Sequence, residues 1–154
     1  MLAPESMNGP RSAQSSANNS GLASDDPLDF VADFLDCDQA GVHRIYAVQD
    51  GIPELKIKTT KLPTAKGPAA VDIALLVMAA RQGARIEEYT VVGDLQSVTK
   101  AYGKFDTNNY ASSVRQLDHL VLKRGRGVKL ERKLTKPGIE AAAKLVSAYA
   151  SEAT

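Results

Sequence analysis

Apolar side chains between Asn108 and Ala143 change their spacing part-way along, and few folds accommodate that change. Tyr110, Val114, Leu117 and Val121 recur at intervals of four, three and four, as one face of a helix requires. Val128, Leu130 and Leu134 then fit one face of a strand, with Lys129, Glu131 and Lys133 on the other. Arg132 breaks the inward set. Between helix and strand stands Arg124-Gly125-Arg126-Gly127, with glycines for the turn and arginines at its tip. Seven bases lie between Lys123 and Lys136 (Lys123, Arg124, Arg126, Lys129, Arg132, Lys133, Lys136) against one acid, Glu131. That density points at phosphate.

The overall charge of +1 conceals an asymmetry. Residues 1–100 carry 9 Lys/Arg and 13 Asp/Glu, hence −4; residues 101–154 carry 10 and 5, hence +5. The chain is 44% hydrophobic over 154 residues, enough for one modest core, but it has no Trp and few aromatics. Such a core is built from Leu, Val, Ile and Ala, which suits helices. A single cysteine, Cys37, excludes an internal disulfide, and His43 and His119 are far apart, so no metal site of the usual Cys/His spacing can be drawn. No cofactor is expected. The longest apolar run, Ile73 to Ala80, is too short for a bilayer, which takes about 20 residues. The N-terminus has no signal-peptide core. The expectation is a cytoplasmic protein without membrane contact.

In order, residues 1–24 are rich in Ser, Asn, Ala, Gly and Pro and are expected to be a disordered tail. Residues 25–64 are expected to form an N-terminal extension. Its first part, Asp25 to Asp38, is an acidic helix capped by Asp25 or Asp26, with Pro27 in the first turn and Leu28, Val31, Phe34 and Leu35 inward. That acidic element either presents a solvated face or meets a basic partner. Val42 to Leu62 reads as a β-hairpin: Ile45, Tyr46 and Val48, a turn at Asp50-Gly51-Ile52-Pro53, then the alternating Leu55 to Thr60. It could extend a sheet, cover the core or contact a second copy.

Residues 65–152 follow as the main domain. Lys66-Gly67-Pro68 closes the extension, and Ala69 to Ala84 is apolar almost all round, so it is either buried or shared with a partner. Gly83 is expected to stop it. Ile86 to Tyr89 reads as a short strand. Thr90 starts a second helix with Val92, Leu95, Val98 and Tyr102 inward, which ends at Gly103. Asp106 or Thr107 caps the third helix. Lys136 to Ala150 is the last.

This order resembles a winged helix-turn-helix domain, in which a recognition helix is followed by a two-stranded wing and a closing helix. Leu134-Thr135-Lys136-Pro137-Gly138-Ile139-Glu140-Ala141 is similar to the L-T-x-x-G-x-x-x-A that often ends the wing in bacterial regulators of this class. The likeness covers roughly Ala69 to Ala150. It implies an α+β fold, winged helix-turn-helix, and double-stranded DNA as partner; the N-terminal acidic helix and β-hairpin are not part of a minimal winged helix and are read as an elaboration of it.

The helix from Thr107 would enter the major groove and present Thr107, Asn108, Asn109, Ser112, Ser113, Arg115, Gln116 and His119. Asn and Gln can pair with adenine and Arg with guanine, while the serines suit phosphate. Arg124 and Arg126 would enter a minor groove, and Lys123, Lys129 and Lys133 would follow the backbone. A homodimer would double a short contact. Catalysis finds little support. Asp118 and His119 are adjacent, hence about 100° apart on a helix, and no nucleophile elbow, Walker loop or paired-carboxylate site is present. Cys37 among aspartates is expected to have a raised thiol pKa. The expectation is a non-enzymatic regulator or DNA-organising protein. A protein-interaction adaptor on the same scaffold is the alternative.

Overall fold

The structure, a computed structural model, describes residues 25–152. The expected disordered tail, residues 1–24, lies outside them. The fold is α+β, with six α-helices and two small antiparallel sheets among the described residues.

Helix α1, Pro27–Leu35, starts where the sequence places it: the Asp26 carboxylate accepts from the Leu28 N–H at 2.9 Å. Leu28, Val31 and Leu35 are buried, and Asp36, at φ 55°, ends the helix in the left-handed region. Helix α2, Gln39–Ile45, replaces the start of the expected hairpin strand. Its Val42 and Ile45 are buried one helical turn apart, a spacing that a strand reading cannot satisfy on one face. Strands β1, Tyr46–Gln49, and β2, Ile52–Leu55, pair with Gln49 opposite Ile52. The turn is therefore only Asp50-Gly51, both at positive φ (53° and 78°), as a two-residue hairpin of this twist demands. Ile52 and Pro53 belong to the strand rather than the turn. The expected strand from Leu55 to Thr60 stops at Leu55: the Lys56 N–H still donates to the Ile45 carbonyl at 2.8 Å, but Ile45 already belongs to α2. A 3₁₀ turn, Thr59–Lys61, follows.

Helix α3, Lys66–Gly83, is the centre of the molecule. Lys66-Gly67-Pro68 forms its first turn rather than a break, a place proline tolerates. Helices α1, α4 (Val92–Ala101), α5 (Tyr110–Val114) and α6 (Lys136–Glu152) and the hairpin all pack on α3, which accounts for its apolar circumference within a single chain. The Tyr46 hydroxyl donates to the Leu76 carbonyl at 2.6 Å, and the Tyr102 hydroxyl donates to the Leu55 carbonyl at 3.2 Å. The hairpin thus covers the core over α3 and α4 and does not join the second sheet. Helix α3 ends at Gly83, as expected, though not through a left-handed glycine. Gly83 is the last helical residue, and Arg85 at φ 64° makes the turn. A Cβ on Gly83 would lie 3.1 Å from the Val31 backbone, so the glycine is what lets α1 lie close.

The second sheet has order β3-β5-β4, all antiparallel, from β3 Thr90–Val91, β4 Val121–Arg124 and β5 Glu131–Leu134. Strand β3 lies just after the expected Ile86 to Tyr89, and Thr90 is a buried strand residue, not a helix start. Leu95 is fully buried on α4, and Gly103, at φ 71°, follows that helix as expected. Leu28, Val31, Tyr46, Leu76, Leu117 and Val146 all belong to one apolar cluster, so residues 25–64 and 65–152 share a core. Among the described residues no helix is long and apolar enough to cross a membrane.

Candidate nucleic-acid interface

The expected recognition helix is shorter than its periodicity suggests. Helix α5 keeps α geometry for five residues, and Arg115–Leu120 then tightens to 3₁₀. The sequence allows this because Val114, Leu117 and Leu120 are three apart, and a 3₁₀ turn stacks such residues on one side. Tyr110, Val114, Leu117 and Val121 are all buried as expected, but Val121 is the first residue of β4. Asp106 organises the start: its carboxylate accepts from the Asn108 N–H at 3.1 Å and the Asn109 amide at 2.8 Å. The Asn109 bond is the main reason that the Asp106 carboxyl is held below its usual range.

Thr107, Asn108, Asn109, Ser112, Arg115, Gln116 and His119 are exposed; Ser113 is half-buried over Gly67. Two of the exposed groups are engaged within the chain. Asn109 gives its amide to Asp106, and the Ser112 hydroxyl donates to the Asn109 carbonyl at 3.0 Å. The side chains of Thr107, Asn108, Arg115, Gln116 and His119 have no partner among the described residues. Asp118 does not turn toward His119; it accepts from Lys123 at 3.1 Å.

The basic hairpin differs more. Strand β5 begins at Glu131, so its inward residues are Arg132 and Leu134, and the sequence expectation for Val128 fails: it lies 91% exposed in a 3₁₀ turn, Gly127–Lys129. Lys129 is at this tip and does not share a strand face with Lys133. Arg124 is the last residue of β4 and lies below the tip. Arg132, only 6% exposed, directs Nη1 to the Val114 carbonyl at 3.5 Å, while its Nε has no partner.

Three other bases are neutralised at the surface. Arg124 Nε is 2.6 Å from Glu131, Lys133 Nζ is 2.5 Å from Glu88, and Lys123 is held by Asp118. Tyr89 lies beneath two of them, its ring centroid 3.8 Å from Arg124 Cζ and 5.6 Å from Lys133 Nζ. Of the seven bases, Arg126, Lys129 and Lys136 remain exposed without an acidic partner among the described residues. Glu88, Tyr89 and Asp106 were absent from the sequence-based site. Glu88 and Tyr89 lie 45 and 35 positions from Lys133 and Arg124, so no local pattern signals them.

Elsewhere, His43 Nε2 approaches Asp29 (3.3 Å) and Asp26 (3.6 Å), the one His/Asp set among the described residues with cation-binding spacing. A hydrogen bond between His43 and Asp29 across the α1–α2 joint explains it. The Cys37 thiol is pushed up as expected, but burial is the main cause and Asp36 and Asp38 add less.

The chain matches no known family model, no curated protein and no solved structure.

Proposed function

We propose that this protein is a winged helix-turn-helix protein that binds duplex DNA without catalysing a reaction, as a transcriptional regulator or DNA-organising factor of the cytoplasm. The helix order α3-α4-α5, the closing sheet β3-β5-β4 and the terminal helix α6 agree with the order that the resemblance implies. The observation that carries the reading is the exposed, unpartnered edge of Thr107, Asn108, Arg115, Gln116 and His119, followed by a tip with Arg126 and Lys129. Arg115 and Gln116 would read base edges, and the tip would lie along phosphate or in a minor groove. A homodimer would place two such short units on inverted half-sites about 10 bp apart.

The test is retention on mixed-sequence duplex DNA at low and raised salt. Binding should fall steeply with salt, and replacing Arg126 and Lys129 by Ala should weaken it on every sequence. Salt-independent or absent retention overturns the reading. Selection of sites from random DNA would then give the target and its symmetry.

One observation favours the adaptor alternative. Leu122 (51% exposed) and Val128 offer apolar surface on a hairpin three of whose bases pair with acids. An adaptor would bind a protein partner through that face and ignore DNA.

A further inference from the structure

The three ion pairs on the wing share a geometry that its composition conceals. Each joins a base of the hairpin or its root to a carboxylate from a different local segment: Lys133 to Glu88 before β3, Lys123 to Asp118 on the 3₁₀ turn, and Arg124 to Glu131 across the β4–β5 ladder. Their side chains are 26–63% exposed, and each carboxylate occupies the pairing position at its base that a phosphate oxygen would need. The Glu88 side chain is 63% exposed, at the edge of the sheet. Asp118 lies on the same turn as Arg115 and His119, inside the edge assigned to DNA. Tyr89 fixes the arrangement from below, because the ring attracts both Arg124 and Lys133 and holds them flat on the sheet face beside their acids.

We propose that Glu88, Asp118 and Glu131 stand in for DNA phosphates, holding Lys133, Lys123 and Arg124 in internal pairs that a duplex must displace. This rests on the DNA-binding reading and concerns the regulation of that same site. An exposed ion pair is weak enough for a phosphate to exchange with it. The exchange differs from neutralising a bare lysine, however. A bare base meeting DNA releases condensed counterions from the duplex, and a freed carboxylate recruits cations from solution in return. Each masked base therefore adds little to the salt dependence, and each mask repels the approaching backbone. The hairpin then binds DNA of any sequence weakly for the number of bases it carries. Arg126 and Lys129, which carry no mask, make the first contact.

The experiment compares the full-length protein with Glu88→Gln, Asp118→Asn and the double variant on one mixed-sequence duplex across a salt series. Both changes keep shape and remove charge, at an exposed position for Glu88 and a half-buried one for Asp118, and thermal unfolding of each variant checks the fold. The expected result is binding about two- to fivefold tighter at low salt per variant. The slope of log K against log salt should steepen by about 0.9 for each base released. Unchanged affinity and slope in all variants, with Arg126→Ala still weakening binding, overturns the masking and leaves DNA binding intact. No binding by the wild type or any variant overturns DNA binding itself, and the masking with it.

Discussion

Thr135 closes on the Leu120 carbonyl twice, through its backbone N–H and its hydroxyl, each at 3.0 Å. The contact ties the end of β5 to the 3₁₀ turn that precedes β4. Gly138, one turn into α6, rests against the same carbonyl so closely that a Cβ there would collide with the Leu120 backbone. The run Leu134-Thr135-x-x-Gly138 thus has a mechanical meaning: a buried leucine, a clamp on one carbonyl and a glycine that admits it. Gly138→Ala should destabilise the protein by about 1–3 kcal/mol, since the obstacle is backbone and cannot rotate away. Thr135→Ala, which loses one hydrogen bond, should cost about 1 kcal/mol. Chemical denaturation measures both.

Gln82 does for β5 what a neighbouring strand would do. Its amide oxygen accepts from the Leu134 N–H at 2.9 Å and its nitrogen donates to the Leu134 carbonyl at 3.2 Å. Gln82→Ala leaves both partly buried groups without partners, and the expected loss is about 1–3 kcal/mol. Amide hydrogen exchange should show faster exchange at Leu134 than in the wild type. Equal protection there would show that another group had replaced Gln82.

Gly83 sets two effects against each other. Alanine is the better helix former by about 1 kcal/mol. Its Cβ would fall 3.0 Å from the Phe34 ring and 3.1 Å from the Val31 backbone, tighter than side chains accept. The ring can move, but the α1 backbone cannot move without unpacking Val31. Gly83→Ala should therefore lower stability by about 1–2 kcal/mol net, in the range of an overpacked core. A higher melting temperature in that variant would mean that α1 moves away without loss.

Asp72 on α3 accepts from the Tyr149 hydroxyl on α6 at 2.7 Å. Burial raises the Asp72 carboxyl above its ordinary value of 3.8, and the tyrosine bond only partly opposes this. A carboxyl raised on folding stabilises fully below its unfolded pKa and loses that contribution as pH rises through its folded pKa. Stability from this site should therefore fall as pH climbs upward from about 3.8. Asp72→Asn keeps an acceptor for Tyr149 and removes the charge, so it should flatten that part of the profile and raise the melting temperature at neutral pH. An unchanged pH profile would remove Asp72 from the account.

The parts legible in the sequence were those set by neighbours along the chain. The faces Leu28–Val31–Leu35 and Tyr110–Val114–Leu117 are buried, and Asp50-Gly51 makes its turn. Helix α2 is not legible because seven residues with a glycine among them carry too little periodicity. The parity of the basic hairpin is not legible, because Arg132 looks like an interruption of the apolar set. Once β5 starts at Glu131, strand alternation puts Arg132 inward with Leu134. The candidate site was legible as a list of exposed polar residues and illegible as electrostatics. Lys133 and Glu88 are 45 positions apart, and only the folded chain shows that a base on the wing has its own acid.

That distinction separates the two arginines of Arg124-Gly125-Arg126-Gly127, which the sequence treats alike. Arg124 is held by Glu131 and the Tyr89 ring, and its guanidinium pKa is raised chiefly by the Glu131 bond. Arg126 has no partner among the described residues. Arg126→Ala should leave the melting temperature unchanged, weaken DNA retention and make the salt slope shallower by about 0.9. Arg124→Ala should do the reverse, lowering stability while changing the slope little, because its charge was already balanced. Glycine matters to this contrast: a Cβ at Gly125, at φ 80°, would strike the Lys129 carbonyl, so the tip keeps its shape only with glycine there. Gly125→Ala should consequently weaken DNA retention with every base still in place. Equal effects of Arg124→Ala and Arg126→Ala on the slope would show that the Glu131 pair opens in solution and that the two side chains act together.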